Sequence, residues 1–142
     1  MKSSWSDKKA TEFVSQYAAQ WGEDLAYRTY SARLLGAEKS LVLHGGGNTS
    51  VKGRYTNLLG ESLEAIFVNA SGYDLSLIEP EDHPALDLEY LSRLRELTEL
   101  SDEAMVREIR THLLEDESPT PSIETLVHAF VAEKFMDHTH AD

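Results

Sequence analysis

The chain has 142 residues, the size of one ordinary domain, with 13 Lys and Arg residues against 25 Asp and Glu residues and a formal net charge of −12. This acidity disfavours a nucleic-acid-binding function, because a strongly negative chain repels phosphate backbones at long range. The sequence contains no cysteine, which excludes disulfides, thiolate zinc sites and cysteine nucleophiles. Neither a signal peptide nor a membrane-spanning apolar run is recognisable, so we expect a cytoplasmic protein that does not bind membranes.

The first half of the chain predicts two helices followed by strands. Apolar residues recur with helical spacing between Ala10 and Trp21, which predicts a helix that begins near Ser6 and ends at Gly22. The segments that follow are predicted, in chain order, as a helix over 23–35 closed by Gly36, a short buried strand over 41–43, and strands over 49–53 and 63–68.

The second half of the chain predicts mainly helices. A helix over 86–100 should face inward with leucines at every third position, and Ser101 should cap the next helix. Thr120 and Pro121 have the residue types of an N-cap and first position, so a further helix should begin there. Residues 135–140 predict the opening of a strand. This order of elements favours an α/β layered fold with a mixed sheet.

Two histidines near the end of the chain are candidate metal ligands. His138 and His140 lie two residues apart, so in a strand their imidazoles share one face and could bind one zinc ion with further ligands from elsewhere. The alternative is that they are incidental polar residues near a frayed end.

A carboxylate lies upstream of these histidines. If Thr120 is the N-cap, Glu124 lies about one turn into the helix and can either face a cleft or merely complement the helix dipole. His128 follows at helical spacing and could share that face. We interpret it as a packing or supporting histidine rather than a ligand.

Three segments of backbone could bind an anion. The glycine-rich loop at 45–48 can point several N–H groups in one direction, a helix start at 122–123 offers free N–H groups, and the turn at 71–72 could donate as well. Together they would suit a phosphate, although each is also what an ordinary tight turn contains.

Four of these segments occur in an order that resembles the class II aldolase/adducin family. They are Gly-Gly-Asn-x-Ser (46–50), Ala-Ser-Gly (70–72), Pro-Ser-x-Glu (121–124) and His-x-His (138–140). The longer strings around them look closest to bifunctional proteins with an N-terminal rhamnulose-1-phosphate aldolase-like domain and a C-terminal short-chain dehydrogenase domain. The resemblance covers residues 40–142.

The resemblance implies a three-layer α/β/α fold with a mainly antiparallel central sheet, usually assembled as a homotetramer. It implies a zinc-dependent lyase that cleaves a ketose 1-phosphate to dihydroxyacetone phosphate and an aldehyde, with zinc as Lewis acid. By motif, His138 and His140 would be two of three zinc histidines, and Glu124 would be the catalytic acid/base. The positions that match the substrate-phosphate site are Gly47, Asn48, Ser71, Gly72 and Ser122.

The resemblance also sets limits. The third zinc histidine would lie downstream of residue 142, so we expect residues 1–142 to be the N-terminal part of a single domain, C-terminally incomplete and inactive as this fragment. Many relatives have a second serine where this chain has Ile123. The alternatives are a non-catalytic adducin-like binding module, or a sugar-phosphate epimerase or dehydratase on the same fold.

Overall fold

The computed structural model describes residues 2–43 and 46–141. Helices and strands alternate in groups along this part of the chain. In chain order they are α1 (Asp7–Trp21), α2 (Glu23–Ala37), β1 (Asn48–Thr56), β2 (Ser62–Val68), β3 (Ala85–Asp87), α3 (Leu88–Arg93), α4 (Asp102–Thr111), α5 (Thr125–Phe130) and β4 (Phe135–His138). None of the helices in the described segments is both long and apolar enough to cross a membrane.

The helical hairpin α1–α2 follows from its capping residues. Ser6 caps α1, since its hydroxyl accepts a hydrogen bond from the Lys9 amide at 3.4 Å, and Gly22 ends the helix with a φ of 87°. The predicted end of α2 is wrong, because the helix continues through Gly36. A Cβ at Gly36 would lie 2.2 Å from the Ser76 amide nitrogen, so glycine is needed there for a close approach of two backbones.

Within the described residues the sheet has four strands in the order β3-β2-β1-β4, and every pairing among them is antiparallel. The α/β fold with a mainly antiparallel sheet is therefore confirmed, and the mixed sheet inferred from element order alone is wrong. In the register, Ser50 of β1 lies opposite Val68 of β2 on one side and Met136 of β4 on the other. Strand β1 is thus the central support for β4.

Helices cover both faces of the sheet. On one face, Ile66 and Val68 pack with buried residues of α3, α4 and α5, namely Leu91, Ile109, Leu126 and Ala129. On the other face, α2 packs against β1 and α1 packs on α2. Together these elements form three layers with β1 and β2 in the middle.

Two predicted elements of the middle region differ in the structure. Residues 41–43 form no strand, because Val42 is buried against Ala32, Leu75 and Ile78 instead of pairing in the sheet. The helix expected from Leu86 begins only at Leu88, since Leu86 pairs with Ile66 in the sheet. Short-range periodicity could not reveal either long-range contact.

The helix predicted after Ser101 is present and spans Asp102–Thr111. Ser101 caps α4 as predicted, with its hydroxyl 3.2 Å from the Ala104 amide nitrogen. The helix ends at Thr111, and Leu113 instead forms an isolated bridge with Leu86 of β3.

Candidate active site

The segment that precedes α5 forms a bridge and then a turn rather than a helix. Pro121 forms an antiparallel bridge with Ala70, and α5 begins at Thr125 with Glu124 in the N-cap position. The predicted helix start at Thr120 is therefore wrong, and so is the free helix N-terminus expected at 122–123. The bridge explains this: it joins residues about fifty positions apart, and only the fold brings them together.

The carboxylate of Glu124 faces the two predicted metal histidines. It makes no capping hydrogen bond to the start of α5, although its residue occupies the N-cap position. Instead, Oε2 lies 3.4 Å from Nδ1 of His138, and Oε1 lies 3.9 Å from Nε2 of His140. Because the carboxylate does not cap the helix, its oxygens are available to bind a metal or to accept a proton.

These three residues form a cluster with the donor set of a metal site. One ligand atom from each of Glu124, His138 and His140 lies within 4.8 Å of the other two. Zinc bonds to histidine nitrogen and carboxylate oxygen are about 2.0–2.2 Å long, so two ligand atoms of one ion are at most about 4.2 Å apart. The 3.9 Å separation, measured to Nε2 of His140, meets this limit, whereas the 3.4 Å separation is measured to Nδ1 of His138, the nitrogen that also contacts Asn48. The side chain of His140 is 51% exposed, so its ring has room to turn toward the other two ligands.

His138 is held by a second polar contact. Its Nδ1 lies 3.0 Å from Oδ1 of Asn48, the residue opposite it in the β1–β4 register. Asn48 also donates from Nδ2 to the hydroxyl of Ser122 at 3.0 Å, so its amide joins the strand to the segment before Glu124. An imidazole that donates from Nδ1 keeps the lone pair of Nε2 for a metal.

His140 lies just beyond β4 and packs on the glycine-rich segment. Its amide donates to the Leu41 carbonyl at 3.0 Å. A Cβ on Gly46 would lie 2.7 Å from Nδ1 of His140, so a larger residue there would displace the ring from its present position. Gly47 has a φ of 81°, and a Cβ there would lie 3.0 Å from the His138 carbonyl oxygen. These glycines thus serve the approach of the histidine segment; His44 and Gly45 lie outside the described residues.

The five residues predicted to bind phosphate divide into buried and exposed groups. Gly47, Asn48 and Ser122 are buried, whereas Ser71 and Gly72 are exposed. The Ser71 amide already donates to the Thr120 carbonyl at 2.9 Å. The Ser122 hydroxyl accepts from both Asn48 and the Glu124 amide. The side chains of Asn48 and Ser122 are therefore engaged in supporting the cluster, and phosphate binding by these residues stays a prediction.

His128 is fully buried beside the sheet. Its Nδ1 lies 2.7 Å from the hydroxyl of Ser50, and its Nε2 has no hydrogen-bond partner among the described residues. Burial, reinforced by the charge of nearby His138 and Arg28, lowers the pKa of His128 to about 4. A neutral, packed histidine agrees with the interpretation of His128 as a supporting residue.

Two contacts of this site were not anticipated. The link from Asn48 to His138 and the link from Ser50 to His128 join residues 90 and 78 positions apart. Both partners on β1 belong to the motif Gly-Gly-Asn-x-Ser. The motif therefore indicated that Asn48 and Ser50 matter to the site, but it did not indicate which histidine each of them contacts.

Comparisons with known proteins show what the chain is similar to. A model of the family described as the class II aldolase and adducin N-terminal domain matches residues 28–142. An uncharacterized oxidoreductase of Bacillus subtilis, YuxG, is 34% identical over 128 residues, which are 90% of this chain and 19% of that protein.

A solved structure is similar to this fold over the whole length of the present chain. It is the N-terminal class II aldolase domain of a conserved protein from Thermoplasma acidophilum, with a TM-score of 0.85 and 30% sequence identity. The alignment covers 100% of this chain and 61% of that one. The chain thus spans about a fifth of the curated relative and about three fifths of the structural neighbour.

Proposed function

Because the chain belongs to the class II aldolase and adducin family, we propose that it contributes the metal cluster and the acid/base of a zinc-dependent carbon–carbon lyase. The substrate is a ketose 1-phosphate of the rhamnulose-1-phosphate kind, and the products are dihydroxyacetone phosphate and an aldehyde. The protein acts in carbohydrate metabolism as a homo-oligomer.

One observation carries this proposal: the carboxylate of Glu124 lies between two imidazoles and makes no capping bond. A residue that only capped α5 would turn its side chain toward the amides of the first turn. Glu124 is instead 3.4 Å from His138 and 3.9 Å from His140, with its side chain 32% exposed. A binding module without catalysis has no chemical need for this arrangement.

The donor set fits zinc, which two imidazoles and a carboxylate commonly bind. His138 and His140 would hold the ion, and Lewis-acid polarisation of the substrate's carbonyl oxygen is the chemistry that zinc supplies when bound. The hydrogen bond from Nδ1 of His138 to Oδ1 of Asn48 would keep the ring in one orientation. The chain's own contribution is therefore to hold ligands in place and to supply a base.

Glu124 is the group that moves the proton. In the cleavage direction the hydroxyl on C4 loses its proton to solvent, its oxygen forms the aldehyde carbonyl as the bond between C3 and C4 of the ketose breaks, and the electron pair of that bond stays on C3. Glu124 then delivers a proton to C3, which completes dihydroxyacetone phosphate; in the synthetic direction it removes that proton. Backbone amides near Gly47 and Gly72, together with Ser71, are the proposed phosphate ligands. Local N–H groups are needed because the net negative charge of the chain would otherwise repel a phosphate.

The test is the cleavage of ketose 1-phosphates by the full-length gene product, with identification of the products. Release of dihydroxyacetone phosphate and an aldehyde, dependent on zinc, is the expected result. Recovery of an isomeric sugar phosphate would instead indicate an epimerase, and release of water would indicate a dehydratase. Absence of both zinc and turnover would favour the non-catalytic binding module.

A further inference from the structure

A buried arginine lies beneath the junction of β1 and β4, on the face opposite the metal cluster. Arg28 belongs to α2 and its side chain is 1% exposed. Its Nη1 donates to the carbonyl oxygens of Ser50 and Met136, each at 3.3 Å, and these residues face each other across the two strands. One guanidinium thus joins a helix to both strands.

The same guanidinium forms an ion pair with β4. Its Nη2 lies 2.6 Å from Oδ1 of Asp137, although this contact is poorly aligned as a hydrogen bond and Nε has no partner among the described residues. A buried charge is costly unless it is paired, and the side chain of Asp137 is the partner. The pair therefore binds α2 to the strand that carries His138.

A second ion pair joins the same helix to the start of this strand. Nζ of Lys134 lies 2.7 Å from Oδ2 of Asp24, and both side chains are about half exposed. Asp24 and Arg28 are one helical turn apart, so they share a face of α2. The helix presents a negative and then a positive charge, and the strand segment presents the opposite signs.

Only one register of β4 against β1 brings these opposite charges together. Asp137 is the sole acidic residue between Lys134 and Ala141. Neighbouring residues of a strand point to opposite faces, so Asp137 faces α2 and His138 faces Glu124. A slip of one residue would remove the partner of Arg28 and turn His138 away from the cluster.

We propose that Arg28 is a positioning residue for the metal site: with Asp137 and the outer pair of Asp24 and Lys134, it holds β4 in the register that directs His138 toward Glu124. The inference rests on the proposed role of His138 as a zinc ligand. Arg28 itself touches neither substrate nor metal and acts through the strand.

The decisive variant is Arg28→Met, which removes the charge while keeping much of the side-chain volume. Its matched control is Arg33→Met, because Arg33 also lies on α2 but forms its ion pair with Glu79, away from β4. Both variants are made in the full-length gene product and compared, well below their unfolding temperatures, by amide hydrogen exchange without metal and by zinc competition with a chelator.

The expected result is specific to β4. In Arg28→Met, exchange at 135–138 speeds up at least about tenfold more than exchange in β2, and zinc affinity falls on the order of tenfold. Arg33→Met lowers thermal stability but leaves both readouts unchanged. Equal acceleration in β2 and β4, or unchanged exchange at β4, would overturn the proposal and leave Arg28 as a residue of general stability.

A charge exchange tests the outer pair independently. Lys134→Asp places two carboxylates together and should speed up amide exchange in β4. The double variant Asp24→Lys with Lys134→Asp reverses the pair and should restore the wild-type exchange rate. If the double variant does not restore this rate, the role of the pair is contradicted. If the wild-type protein binds no zinc, the proposed function fails, but the metal-free exchange experiment still decides whether Arg28 holds the strand.

Discussion

Oε2 of Glu124 lies 3.4 Å from Nδ1 of His138, and this contact joins the residue before α5 to the last residue of β4. The two segments meet because Pro121 pairs with Ala70 while His138 pairs with Asn48 on β1. A carboxylate beside two imidazoles can act as ligand or as base, and mutation can separate the two roles.

Glu124→Gln should abolish turnover while leaving zinc binding nearly intact. The amide keeps the shape of the side chain but cannot exchange the proton at C3, and loss of general acid/base catalysis costs about 10²–10⁴-fold in rate. The measurement is steady-state cleavage of a ketose 1-phosphate by the full-length gene product, with bound zinc from elemental analysis. His140→Ala is the companion variant and should lose zinc and rate together. Near-normal turnover of Glu124→Gln with zinc bound would show that another group is the base.

The 142-residue chain should bind zinc weakly, because Glu124 is the proposed base and the described cluster then offers two imidazoles, whereas catalytic zinc sites supply three protein ligands. Substitution of His138 by alanine should lower that affinity at least about tenfold in calorimetric titration. His112→Ala is the control, since His112 stacks on Tyr90, away from the cluster. Tight one-to-one binding that survives His138→Ala would mean that other residues are the ligands.

Gly36→Ala should destabilise the fold, because the added Cβ would lie 2.2 Å from one backbone atom and 2.5 Å from another. Overpacking of this kind costs about 1–3 kcal/mol in the free energy of unfolding. Gly53→Ala is the matched control, since its nearest contact is an ordinary 3.6 Å and its φ is not left-handed. Urea denaturation of both variants measures the difference, and equal midpoints would refute the steric role of Gly36.

Acidification should destabilise the protein between about pH 6.5 and pH 4. Burial, with a smaller contribution from the charge of Arg28, lowers the pKa of His83 to about 4, and burial likewise lowers the pKa of His128 to about 4. The unfolded chain, with histidine pKa values near 6.5, binds more protons in this range, so the free energy of unfolding falls as the pH falls. His83 alone should account for about 2 kcal/mol between pH 7 and pH 5.

Urea denaturation at both pH values measures this loss. His83→Gln removes the titrating ring and should flatten the pH dependence. A wild-type slope in His83→Gln would show that other groups cause the acid destabilisation.

The predictable part of the fold is the part that local contacts determine. Ser6 and Ser101 cap their helices through amides three residues away. The spacing of His138 and His140 predicted that their imidazoles lie close together, and they do, although β4 ends at His138. The start of α5 was not predictable, because the bridge from Ala70 to Pro121 overrides the segment's own capping pattern. Nor could the orientation of His138 be predicted, since its support from Asn48 depends on the register of two distant strands.

The separation of Asn48 and His138 by 90 positions has a consequence for folding. Closing so long a loop is entropically slow, and contacts of this kind form only when most of the topology is in place. The cluster therefore does not exist in a partly folded chain, and zinc cannot serve as an early template for assembly. The proposed zinc binding would instead follow the docking of the last strand and report that folding is complete.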